Sequence, residues 1–322
     1  MFYYAIKKRG MNQITNNILM IRPVAFKYND QTAKNNYYQK NTLNLSLFDT
    51  QNKALYEFDN LVDKLKSIGV NVIVIEDTLL PQTPDSIFPN NWISFHQNGT
   101  ICLYPMFAEN RRLERRTDIV DQLINQHNFI IDNTIDYTKY ELNNRYLEGT
   151  GSMVLDRENK LCYAAVSIRT DKRLVMKFCK DFDYTPILFT ANQNFRNKRL
   201  PIYHTNVMMC IADSFAIICL DSIDDKRERL KVESLLNETN KHVINISEEQ
   251  KSKFAGNMLQ VKGIDSHIVM SESAYRSLNK DQIDVINSFC SITYSDLKTI
   301  ENCGGGSARC MMAEIFLNSK VC

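Results

Sequence analysis

Three side chains in this sequence stand where chemistry is feasible. Cys310 closes the run CGGGSARC at 303–310, and small residues beside a reactive side chain permit close backbone approach and can aim N–H groups at a ligand. The thiolate is the nucleophilic form of cysteine, and Arg309 or a nearby imidazolium would favour it. The glycine run lacks the lysine and the spacing of a phosphate loop. His204 lies between Tyr203 and Thr205, just ahead of an apolar run, and can take or deliver a proton near neutral pH. Glu148, between Leu147 and Gly149 at the end of a strand-like run, is either salt-bridged or holds the N–H groups of a ligand, because carboxylates are seldom buried without a partner.

Local sequence leaves alternatives open. Cys310 reads equally as a small buried residue among Met311, Met312 and Ala313, and Cys303 is a rival nucleophile in the same loop. Cys322 is terminal, with little to hold it in place. His96, His127, His242 and His267 lie near element ends or inside short strands, where structural or surface roles fit. No G-x-S-x-G elbow occurs, and Ser307 in GGSA resembles one only loosely.

The elements that must position these groups follow a repeated plan. Segments opening at Asn91, Gly151, Asn206 and Asn257 each read as two short β-like runs joined by a turn, then an amphipathic helix, then usually another strand. The expected helices run over 110–126, 171–179, 225–236 and 278–289, and the following strands include 70–76, 129–132, 185–189 and 242–246. A truncated copy opens at Ser307, and the chain begins with a lone strand-like run over 18–26. Pairing the last strand with the first completes a fifth unit across the termini. The openings lie 60, 55, 51 and 50 residues apart, the scale of a strand–strand–helix–strand unit. One such unit cannot bury its own apolar face, whereas a closed ring of five can. The chain is therefore expected to be one catalytic domain over 11–322, α/β with approximate fivefold symmetry, preceded by an N-terminal extension at 1–10. Residues equivalent in each unit would then converge on the axis. The openings hold the polar and small residues: FPNN, LEGTGS, YHTN, FAGN and CGGGSARC.

At 322 residues and 44% hydrophobic composition the chain can bury a sizeable core. A net charge of +2 with no basic block interleaved with aromatics argues against nucleic acid as a partner. No apolar run is long enough for a membrane span. Nine cysteines without a C-x-x-C pair or His/Cys cluster suggest neither a disulfide scaffold nor a metal site. Those inside apolar runs, Cys102, Cys162, Cys210 and Cys219, read as small buried hydrophobes, and a reducing, cytoplasmic compartment is expected. The tyrosine-rich, basic start lacks the apolar core of a secretory signal, and Met11 is a second candidate start. A homodimer is the expectation from base rates alone.

Taken together, the runs MIRPVAF, FPNNW, NRRLERR, LEGTGSMVLDR, YHTNVMM, FAGNM and GGGSARCM resemble the guanidino-group-modifying superfamily of arginine deiminases, dimethylarginine hydrolases and amidinotransferases. Within it they look most like the citrulline-utilisation hydrolases, or citrulline ureidases. The resemblance extends from about Met20 to Phe316. It implies the pentein fold, a five-bladed β/α propeller closed across the termini, acting on a small amino-acid substrate without metal or cofactor. Residue by residue, it implies that Cys310 is the nucleophile, His204 the general acid/base and Glu148 the carboxylate that holds substrate nitrogens. Arg111, or its neighbour Arg112, and Arg169 match arginines that grip the substrate's carboxylate, a planar anion suited to an arginine fork.

The departures carry the substrate reading. Where deiminases and dimethylarginine hydrolases place aspartate, this chain has Asn91, and where deiminases have another it has Asn206; Asn90 matches a position that is acidic in some relatives. An ionised aspartate only accepts hydrogen bonds, whereas an asparagine also donates. A neutral ureido carbonyl wants such a donor, while a buried guanidinium would lose compensation worth several kcal/mol. The substitutions therefore point from arginine toward citrulline. Arginine or methylarginine hydrolysis, amidinotransfer, and a noncatalytic amino-acid sensor that retained the pocket are the competing readings.

Overall fold

The computed structural model describes residues 11–40 and 44–320. The N-terminal extension at 1–10 and Cys322 lie outside the described residues. In chain order the strands are β1 (Asn17–Arg22), β2 (Asn71–Glu76), β3 (Ile93–Phe95), β4 (Thr100–Leu103), β5 (Asn133–Asp136), β6 (Val154–Asp156), β7 (Leu161–Ala165), β8 (Thr185–Phe189), β9 (Asn192–Phe195), β10 (Lys198–Pro201), β11 (Met209–Ile211), β12 (Phe215–Ile218), β13 (His242–Asn245), β14 (Leu259–Lys262), β15 (Ser266–Ser271), β16 (Ser291–Ser295) and β17 (Ala313–Glu314). They form five three-stranded sheets, β17-β1-β2, β3-β4-β5, β6-β7-β8, β11-β12-β13 and β14-β15-β16, and a hairpin, β9-β10. Each three-stranded sheet has one antiparallel pair followed by one parallel pair. The parallel step needs a crossover, and a helix supplies it, for example Lys172–Phe182 between β7 and β8.

The closed five-bladed propeller expected above is corrected: among the described residues no sheet closes on itself. β17 does lie antiparallel to β1, with Leu19 opposite Ala313, but this is one short ladder inside one open sheet. The physical reason is that every strand-to-strand ladder of these five sheets stays within its own unit. Neighbouring units meet through side chains, as where Ile73, Ile75, Trp92, Ile93, Phe95 and Ile315 share one apolar cluster.

Local chemistry explains most boundaries. Asp171 and Asp225 cap the helices Lys172–Phe182 and Lys226–Glu238 by accepting from backbone N–H groups of the first turn. Ser46 caps the longest helix, Leu47–Ser67, which buries Ala54, Phe58, Leu61 and Leu65 at helical spacing against Val70, Val72 and Val261. Two expectations needed adjustment. The helix over 110–126 divides into Glu109–Arg112 and Thr117–Asn125, because Arg115 and Arg116 turn aside to donate to Tyr104 O and Glu76 O. The strand expected at 129–132 forms at 133–136 instead. Phe129 packs into the core beside Leu123 while the ladder on β4 pairs Thr100 with Asn133.

Candidate active site

Four of the five openings become single tight turns of helix rather than strand starts: Pro89–Asn91, Gly149–Ser152, Thr205–Val207 and Ala308–Met311. Their short N-terminal flanks place Asn91, Glu148, His204, Asn206 and Cys310 in one buried cluster, each no more than 3% exposed. A cavity beside them is lined by Asp85, Asn91, Arg111, Arg169, His204 and Cys310 together with Thr32, Asn36, Phe88, Tyr203 and Gly306.

His204 Nε2 lies 2.7 Å from Glu148 Oε2. Burial lowers the imidazole to about 4 despite that carboxylate, so the ring is neutral at pH 7 and Nε2–H donates to Glu148. Burial also works against ionisation of Glu148, but the Arg169 guanidinium 3.4 Å away, His204 and Arg111 outweigh it and hold the carboxyl well below the usual range. Glu148 Oε1 accepts from the N–H of Phe107 at 2.9 Å. An anion fixed beside a neutral imidazole is poised to stabilise the imidazolium that forms when His204 accepts a proton.

Cys310 Sγ receives two side-chain amides, Asn206 Nδ2 at 3.5 Å and Asn257 Nδ2 at 3.2 Å. Arg309 turns away from it, donating to Met312 O and pairing with Glu314 at 2.6 Å. Cys303, the rival thiol, is raised by burial and then by Glu57, and Gln39 donates to its carbonyl.

Arg111 donates to both oxygens of Glu114, to the carbonyls of Asp85 and Phe88, and through Nη1 to Asn91 Oδ1 at 2.8 Å. The Asn91 amide is therefore oriented with its Nδ2 free of any protein partner. Arg169, 1% exposed, donates to Asn35 Oδ1 through both Nε and Nη2 and to the carbonyl of Thr32, with its guanidinium 5.1 Å from the Tyr203 ring. Arg112 donates to Met106 O, lies 3.5 Å from Glu141 and does not line the cavity. Asn90 turns its Nδ2 to Thr150 Oγ1 at 3.3 Å.

Two residues at the site were not singled out by sequence reasoning. Asp85 is buried, raised by burial, then lowered in part by Arg111, Asn29 and Thr32, and its Oδ1 has no protein partner. Its signal was proximity to FPNN, six residues before Asn91. Asn257 occupies the FAGN opening, whose place in the repeat is visible in the sequence although its role is not. Among the described residues no group of three or more His, Cys, Asp or Glu side chains could hold a metal ion, and no helix is long and apolar enough to cross a membrane.

Two outcomes test this geometry. A Cβ on Gly151 would lie 2.3 Å from Asn91 Nδ2 and 2.9 Å from His204 Nδ1. Gly151→Ala is expected to cost about 1–3 kcal/mol of stability by overpacking and to displace both groups, reducing turnover about a hundredfold; thermal melting and a kinetic assay read the two effects. Behind the cysteine loop, Glu301 accepts from Ser307 Oγ at 2.6 Å and Ser273 Oγ at 2.5 Å, and burial raises its carboxyl to about 7. A raised folded-state value means that its contribution to stability is fully present below the unfolded value near pH 4.5 and lost as pH rises through about 7. Glu301→Gln should flatten the fall in melting temperature across that window, an effect on the order of 3 kcal/mol; parallel melts of both proteins at several pH values decide it.

The family model for eukaryotic N,N dimethylarginine dimethylhydrolase matches residues 22–317. No curated protein sequence matches the chain. Among solved structures, ArgZ, an arginine dihydrolase from the ornithine-ammonia cycle in Cyanobacteria, aligns with a TM-score of 0.71 at 15% identity over 95% of this chain, which spans 41% of that longer chain. The N-terminal domain of ArgZ, bound to product, gives 0.71 at 15% identity over 93% of this chain and 97% of the domain. A Pseudomonas aeruginosa DDAH, a cysteine-to-serine mutant complexed with citrulline, gives 0.62 at 12% identity over 94% of this chain and all of its own. At such identities the likeness is one of fold.

Proposed function

This chain belongs to the N,N dimethylarginine dimethylhydrolase family, and on that footing we propose that it hydrolyses the ureido group of citrulline, giving ornithine, ammonia and carbon dioxide. The observation that carries the substrate reading is the amide of Asn91. Arg111 holds its oxygen, so the buried, unpartnered Nδ2 is left as a donor. A donor suits a ureido carbonyl and repels nothing neutral, whereas a guanidinium offers only donors of its own. The oxygens of Asn206 and Asn257, beside Cys310, are also buried without a protein partner, and in this reading they would accept from the ureido N–H groups.

In this mechanism Cys310 loses its proton to His204, and the sulfur attacks the ureido carbon to form a tetrahedral oxyanion. Asn91 Nδ2 donates to that oxygen. The His204 imidazolium, stabilised by Glu148, protonates the ornithine nitrogen as its C–N bond breaks, leaving an S-carbamoyl thioester. The neutral imidazole then takes a proton from water, whose oxygen attacks the same carbon. The sulfur departs with its bonding pair and recovers its proton from His204, and the released carbamic acid decomposes to ammonia and carbon dioxide. Arg169 is the group proposed for the substrate's carboxylate; Asn35 Oδ1, now held by the same two donors, would give way. Arg111 acts through Asn91 in this reading.

Arginine or a methylarginine is the second reading, and Asp85 favours it, since a second buried carboxylate with a free oxygen suits a cation. The test incubates purified protein with citrulline and, separately, arginine, following ornithine, citrulline and ammonia. Ornithine with ammonia from citrulline supports the proposal. Citrulline with ammonia from arginine, and no turnover of citrulline, overturns it.

A further inference from the structure

We propose that Asn257 is a catalytic residue of this site, donating one side-chain N–H to Cys310 Sγ and, together with Asn206, stabilising the charge on the sulfur once its proton has left. The proposal rests on the reading of Cys310 as nucleophile. It starts from an orientation that the hydrogen bonds themselves decide. An asparagine amide can be turned either way, but Asn257 Nδ2 lies 2.9 Å from the carbonyl oxygen of Asn206, which can only accept. That contact uses one of the two N–H bonds, and the other is directed at Cys310 Sγ, 3.2 Å away. Asn206 Nδ2, at 3.5 Å, adds a second donor to the same sulfur.

The backbone is built to deliver this group. Phe254 adopts a left-handed conformation with φ +63, which a bulky residue takes only when its surroundings impose it. The N–H of Asn257 closes the turn on Phe254 O at 2.8 Å. At Gly256 a Cβ would lie 2.6 Å from the backbone carbon of Met208 and 2.7 Å from Val207 O, so glycine lets the FAGN turn seat directly on the turn that carries Asn206. Asn257 is wholly buried, and an amide donor removed from water binds an anionic acceptor more strongly than a neutral one. Arg309, the adjacent cation in sequence, supplies no counter-charge, being committed to Met312 O and Glu314. The sulfur is therefore served by neutral amides, which favour its charge without offering a proton that the sulfur could keep.

The experiment reads the sulfur without any substrate. Wild type, Asn257→Ala and Asn257→Asp are exposed to iodoacetamide across about pH 5 to about pH 10, and modification is followed on the peptide containing Cys310; thermal melting checks each fold. The expected result is alkylation of Cys310 about tenfold slower near pH 7 in Asn257→Ala, with the profile displaced to higher pH. Asn257→Asp, equal in shape but presenting an acceptor, should be slower still, and it carries the test if the alanine variant does not fold. Should the reagent fail to reach the wild-type sulfur, the ultraviolet absorbance of the thiolate, referenced to Cys310→Ala, gives the same profile. A titration that superimposes on wild type in either folded variant overturns the proposal. Since the readout needs no turnover, a wrong substrate assignment would leave this result standing, and a correct one would not rescue it.

Discussion

Cys310→Ala is expected to abolish ornithine release from citrulline, a loss of about 10^4-fold or more, with melting temperature little changed. The neighbouring hydroxyl and thiol groups are committed or disfavoured: Thr32 Oγ1 donates to Asp85 and Tyr203 OH to the carbonyl of Gly305. Ser307 Oγ is held by Glu301 at 2.6 Å, and the Cys303 thiol is raised by burial. Residues that act as one unit lose nearly everything when one member is removed, so His204→Ala should fall almost as far and the double variant little further. The stability cost stays low because Asn257 Nδ2 keeps its bond to the backbone carbonyl of Asn206, and the replacement removes only the sulfur's contacts with Asn257 Nδ2 and, at 3.5 Å, Asn206 Nδ2. Product analysis over long incubation, beside a melting curve, checks both parts. Turnover of citrulline by a folded Cys310→Ala protein would exclude the covalent route.

The second large effect is a change of substrate. In Asn91→Asp, Arg111 Nη1 would keep its 2.8 Å contact to one carboxylate oxygen, and the other would take the place of the unpartnered amide nitrogen beside the cavity that Asn91 lines. A donor to a neutral carbonyl becomes an acceptor for a cation. Turnover of citrulline should fall about 10^2–10^3-fold, the scale of a lost oxyanion donor. Any arginine hydrolysis should rise, since the buried guanidinium gains a counter-charge. The same argument makes Arg111 a positioning residue: Arg111→Lys would free the Asn91 amide to rotate, and citrulline turnover should fall while the melt reports the lost Glu114 pair. The ratio of kcat/KM for citrulline and arginine in each variant is the measurement. An unchanged ratio in Asn91→Asp would show that this position does not select the substrate.

Much of the architecture was legible from local order. The recurring openings are marked by small and amide residues because those turns must let backbone approach backbone, as Gly151 and Gly256 do; this requirement writes itself into residue type. Helices capped by Asp171 and Asp225 likewise carry their own boundary signals. Apolar periodicity located β8 and β13, whose faces are set by burial, but it misplaced β5, where the hydrophobic residues of 129–131 pack as a loop and the ladder falls on polar ones.

By itself the sequence determined which side chains could be reactive and that they recur at equivalent points of a repeated unit, since composition at a turn is a local property. Only the tertiary structure decided what each of them touches. Arg169 meets Asn35 across 134 residues and Cys310 meets Asn206 across 104; such partners are chosen by proximity in space, which no local spacing encodes. Whether the strands join into one closed sheet or remain several open ones was decided there too, because pairing within a unit and packing between units bury the same apolar residues and leave the same pattern in the chain.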